Sequence, residues 1–141
     1  MWEKFENDLI KSLSLVPEEP YVLNYLAYSW LERNINIDKS IKMLEMALNN
    51  KKGDPYIIDS LGWGLYLVGR YHEAEELLQK AVELMPNDPI INDHYADVLW
   101  KLNKNLQANY FWSHALNPET TEARIKNKIK EKLIFGIRSN S

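Results

Sequence analysis

The residues of this sequence best suited to chemistry lie in three short runs. His72-Glu73-Ala74-Glu75-Glu76 opens like a zinc-protease helix, but Glu76 stands where the second imidazole is needed, so no two imidazoles can face one zinc ion. Asp93, His94 and Asp97 fall within about one helical turn, yet a trio on a single helix with only one imidazole makes a poor metal site. Gly62 and Gly64 lack the third glycine of a dinucleotide-binding loop and a strand before it, and no Gly-Lys-Ser/Thr follows to cradle phosphate. A lone carboxylate pair does not make a glycosidase either, because acid–base work needs a pocket that drives two pKa values apart. The expectation is a protein that is not an enzyme, with no cofactor and no metal, whose chemistry is that of binding.

The elements that position these residues must come from a chain of 141 residues, 45% hydrophobic and 26% charged, which suits one compact domain. The longest mostly apolar run, Leu61 to Val68, is far short of the ~20 residues of a membrane helix, and the first residues carry neither a basic region nor an apolar export stretch. A cytoplasmic location is expected of the chain as it stands, and a periplasmic or envelope-associated one if it is a fragment of an exported parent. With no cysteine, disulfides and thiolate sites are excluded. A net charge of -3 is a poor balance for tracking a phosphate backbone, so nucleic acid is not an expected partner.

Self-comparison reveals a period. Leu26-Ala27, Leu61-Gly62 and Tyr95-Ala96 align, as do Ser40, Ala74 and Ala108, and again Ala47, Ala81 and Ala115. These small side chains sit where paired helices must approach closely, and Leu44, Leu78 and Trp112 fill the space beside them. Asp54-Pro55 and Asp88-Pro89 each place a capping carboxylate before a proline at the first helical position. Ala74, Leu77, Leu78, Ala81 and Leu84 form one apolar stripe at helical spacing, opposite a solvated side bearing Glu73, Glu76, Lys80 and Glu83.

Leu61-Gly62, Leu65, Gly69, Tyr71, Ala74, Leu78, Ala81 and Pro86 together resemble a tetratricopeptide repeat (TPR), with Ile58 and Leu65 replacing the usual Trp and Tyr. The resemblance implies an all-α, right-handed TPR solenoid of about three helical hairpins. Repeats are placed at 20–54, 55–88 and 89–117, a half-repeat at 1–17, a C-terminal capping helix at 118–136 and a tail at 137–141, all in one domain. Asn24 to Trp30, Asp59 to Trp63 and Asn92 to Trp100 are also similar to the C-terminal part of longer proteobacterial TPR proteins.

The two ends break the pattern. Trp2, Phe5, Leu9, Ser12 and Pro17 align with Tyr71, Ala74, Leu78, Ala81 and Pro86, so the chain opens on the second helix of a hairpin. Its apolar side is expected to be exposed and covered by a second copy or an upstream segment, with Trp2, Phe5 and Leu9 as the self-association residues and a homodimer as one outcome. From Pro118 onward six basic residues face three acidic ones, and Ala123, Ile125, Ile129 and Leu133 give a narrow stripe for a helix that caps the array or folds into an acidic groove.

In such arrays the first helix of each hairpin lines the concave side. Tyr28, Asp59, Trp63, Tyr66, Asp93, Asp97 and Trp100 are therefore the expected partner-binding residues, and Trp2, Trp30 and Trp112 fall at positions that pack inside. Family members that hold a C-terminal carboxylate use Lys, Arg and Asn where this chain has Asn24, Tyr28, Ser60, Ile90 and His94. The expected ligand is thus an apolar or basic protein segment bound in the groove, with self-assembly through the half-repeat or the groove as the alternative.

Overall fold

The computed structural model describes residues 2–15, 19–117 and 122–137, without the side chain of Trp2. Eight α-helices follow one another with no strand among the described residues: α1 (Trp2–Leu15), α2 (Pro20–Glu32), α3 (Ile37–Asn50), α4 (Pro55–Leu67), α5 (Tyr71–Leu84), α6 (Pro89–Lys101), α7 (Asn105–Ala115) and α8 (Ala123–Phe135). None is long and apolar enough to cross a membrane.

The first helix of each hairpin starts in the same way. Glu19, Asp54 and Asp88 are extended, and each carboxylate accepts N–H groups of the first turn that the helix itself leaves unpaired, just ahead of Pro20, Pro55 and Pro89. The hairpin turns are equally regular. Asn34, Gly69 and Asn103 all take positive φ, at 59°, 82° and 63°, where most side chains are strained. In each turn the following N–H reaches back over the helix end, from Ile35 to Trp30, from Arg70 to Leu65 and from Lys104 to Leu99, at 2.9–3.0 Å. The first turn carries one further left-handed residue, Asn36, which absorbs the extra position of that repeat.

Hairpins α2–α3, α4–α5 and α6–α7 stack side by side, with α3 against α4 and α5 against α6, while α2, α4 and α6 adjoin along one face. The aligned small residues Ser40, Ala74 and Ala108 are fully buried, as are Leu44, Leu78 and Trp112 beside them. Packing there is close: a Cβ on Gly62 would lie 2.7 Å from Leu78 Cγ.

The α1 end differs in detail from the sequence-based reading. α1 lies on α2, where Glu6 accepts from the Trp30 indole at 2.8 Å and from Arg33 at 3.2 Å. Leu9, expected to be exposed, is half-buried against the core, while Phe5, Ile10 and Leu15 remain exposed at 42%, 47% and 78%. Trp2's side chain lies outside the described residues. The expected helix start near Pro118 falls on residues 118–121, also outside the described ones; α8 runs from Ala123 behind an extended Glu122 and packs on α7, with Ile129 fully buried and Ile125 and Leu133 packed against the core.

Candidate functional site

The concave face is built by α2, α4 and α6, and its two ends are in different states. At the α1 end an open groove of about 570 Å³ is lined by Phe5 of α1, by Tyr25, Tyr28 and Glu32 of α2, by Tyr56 and Asp59 of α4, and by Asp88 and Ile90 at the start of α6. Four carboxylates, Glu32, Asp54, Asp59 and Asp88, border it, and none of its lining residues is a lysine or arginine. Burial first, and then the charges of Glu32, Asp59, Asp93 and Asp88, push the Tyr28 hydroxyl far above the ordinary phenol range.

The middle of the face is an aromatic stack on a buried ion pair. Asp59 Oδ1 and His94 Nδ1 are 2.9 Å apart, both residues almost fully buried. Burial alone would lower the His94 pKa, but Asp59, with Asp93 and Asp97 beyond it, outweighs that effect and raises it, favouring the imidazolium. Trp63 stacks on the imidazole at 4.1 Å and on Tyr66 at 4.8 Å, which is the arrangement a cationic ring prefers over an indole face.

The α8 end is closed by the chain itself. Lys132 Nζ donates to Asp93 at 3.0 Å and to both oxygens of Asp97 at 2.9 and 3.0 Å, and the Trp112 indole N–H donates to Asp97 at 3.0 Å. Burial and then Asp93 push the Asp97 carboxyl up to about 6, with Lys132 and His94 opposing them. Lys132 faces two carboxylates, which overcome the lowering effect of burial and raise its pKa. Trp100 packs against Trp112 at 5.7 Å and beneath Gly136, where an added Cβ would lie 2.1 Å from its ring.

Of the expected partner-binding residues, Tyr28 and Asp59 thus border the open groove, Trp63 and Tyr66 form the central stack, and Asp93, Asp97 and Trp100 meet α8. Trp63, Tyr66 and Trp100 are half-buried rather than open-faced. Trp30 and Trp112 are buried at 3% and 0% exposure. The sequence-based reading gave no role to Lys132 or to the buried partnership of His94. It also did not separate the open end of the face from the closed one.

A stack of antiparallel helical hairpins sharing one concave wall defines a helical-repeat solenoid. In fold and in repeat pattern the chain is a right-handed tetratricopeptide-repeat array. No protein-family model matches the sequence. A TPR repeat-containing protein of Pseudomonas aeruginosa is 28% identical over 87 residues, covering 62% of this chain and 15% of that relative's length. The chain therefore corresponds to a small part of that relative.

Among solved structures, a thermophilic TPR protein of Thermus thermophilus superposes with a TM-score of 0.75 at 16% identity, over 92% of this chain and 71% of the other. The type III secretion translocator chaperone SycD of Yersinia enterocolitica gives 0.70 at 15% identity, over 82% and 89% of the two chains. The first TPR domain of Spaghetti (RPAP3), bound to the HSP90 peptide SRMEEVD, gives 0.68 at 14% identity, over 80% and 89%.

Proposed function

We propose that this chain is a non-catalytic protein-interaction module that holds an apolar or basic segment of a partner protein along its concave face. The observation that carries the reading is the open groove, walled by tyrosines, bordered by four carboxylates and lacking any lysine or arginine in its lining. Rigid rings supply contact area at little entropic cost, and the carboxylates set the sign of the ligand. Tyr28 would touch the partner directly, with Asp59, Trp63 and Tyr66 fixing the floor. Asp93, Asp97 and Trp100 would be reached where a partner lifts α8.

The RPAP3 domain binds a peptide ending in Glu-Glu-Val-Asp. In this chain Asn24, Tyr28, Ser60, Ile90 and His94 stand at the family's carboxylate-holding positions, and the carboxylates around them oppose such an acidic tail. Panning a random twelve-residue peptide display library on the purified chain tests the reading. The expected result is enrichment of peptides with net positive charge that lose binding to a Tyr28→Ala variant of unchanged helix content. Enrichment of acidic peptides, or binding indifferent to Tyr28→Ala and Trp63→Ala alike, overturns it.

Exposure of Phe5, Ile10 and Leu15 on α1 favours a second reading, self-association through Trp2, Phe5 and Leu9. Its test is mass against concentration by light scattering. A Phe5→Asp, Leu9→Asp variant that matches the parent's mass at every concentration would eliminate it.

A further inference from the structure

The chain shows on itself how this face receives a cation. At the closed end, the lysine of a basic helix sits between Asp93 and Asp97 at hydrogen-bonding distance and covers that part of the wall. The open end repeats the acidic half of this arrangement without the cation. Glu32 is exposed at the groove edge and makes no ion pair among the described residues, and Asp88 spends one oxygen on capping α6.

The rings of the lining suit a cation as well. The Tyr28 and Tyr56 side chains border the same space, whereas the ring of Tyr21 already faces Lys51 at 5.8 Å.

We propose that the open half of the groove is an anchor site for one arginine side chain of an extended partner segment, its guanidinium against the Tyr28 and Tyr56 rings and donating to Glu32. This rests on the interaction-module reading and narrows it to one side chain. Arginine fits better than lysine because its plane stacks on aromatic rings while its five N–H groups serve several acceptors at once. An acidic or C-terminal segment is disfavoured, since a carboxylate in this space would meet Glu32, Asp59 and Asp88 with no cation in the lining.

The test is an NMR titration of the full chain with the peptide acetyl-Gly-Leu-Arg-Leu-Gly-amide and with its citrulline analogue, which has nearly the same shape but no charge. The expected result is saturable shifts of the Tyr28 and Tyr56 ring signals. Citrulline should bind about tenfold more weakly, and Glu32→Gln should weaken the arginine peptide about threefold. Glu32 is exposed and makes no ion pair among the described residues, so that variant leaves the fold untouched.

Equal binding of both peptides at Tyr28 overturns the arginine anchor and leaves the groove reading standing. Shifts centred on Asp93, Asp97 and α8 overturn it by placing the cation at the Lys132 site. No groove shifts with either peptide overturns the anchor as well, and the display selection then decides separately whether the module reading survives.

Discussion

Replacing Lys132 by Gln should release α8 without unfolding the array. The ammonium lies 2.9–3.0 Å from three carboxylate oxygens, and the side chains of Lys132, Asp93 and Asp97 are only 22%, 18% and 6% exposed. Exposed ion pairs contribute up to about 1 kcal/mol, while breaking a fully buried one costs about 3–5 kcal/mol, which places this site at about 2 kcal/mol. Because α8 is held mainly on α7, by Ile129, Ile125 and Leu133, the loss should appear as local opening of this one helix. Two kcal/mol corresponds to roughly 30-fold faster exchange of the α8 backbone amides, with those of α4 and α5 unchanged. Native-state hydrogen exchange reads this helix by helix. In the same variant Asp97 loses a lowering neighbour, so its carboxyl should titrate above its present value of about 6. Unchanged protection of α8, or a loss spread evenly over α2 to α7, would refute the view that Lys132 is the clasp.

Stability should be highest in acidic solution, at about pH 4, and fall steadily from there to about pH 8. The His94 pKa is raised, so its contribution is complete below about 6.5 and is lost as pH rises through its folded value. Asp97, raised from 3.8 to about 6, binds more protons folded than unfolded between those values, so stability also falls as pH rises through that window. Glu6 opposes both: hydrogen bonds from Trp30 and Arg33 lower its pKa, and its contribution is lost as pH falls from about 4.5 through its folded value. Urea midpoints at pH 5, 6.5 and 8 check the sign, and a midpoint that rises steadily to pH 8 contradicts it. Gly62→Ala should cost about 1–3 kcal/mol, because the new Cβ would lie 2.7 Å from Leu78 Cγ. Gly53→Ala, with nothing within 4 Å and no positive φ, should leave the thermal midpoint nearly unchanged.

How far the sequence could be read follows from what each residue depends on. The small residues, the Asp-Pro starts and the turn at Gly69 depend on neighbours within one hairpin, and the period exposes them directly. Asn34 and Asn103 stand at the Gly69 position and take its left-handed backbone, a substitution readable from residue type once the repeats are aligned. The site is different, because its partnerships cross from one hairpin to the next. Asp59 with His94 and Asp97 with Lys132 are each 35 residues apart, one residue more than the step between α4 and α6 or between α6 and α8. Each pair therefore joins a position on one first helix to the next position along the following one. Such a rule emerges only when the stacking of first helices is known, since single-helix spacing places Asp93, His94 and Asp97 together as if they served one ligand. In three dimensions His94 turns back to α4 while Asp93 and Asp97 turn forward to α8. The same segment thereby links two steps of the stack, and α8 occupies the place of a further first helix, carrying on its concave side the cation that the open end lacks.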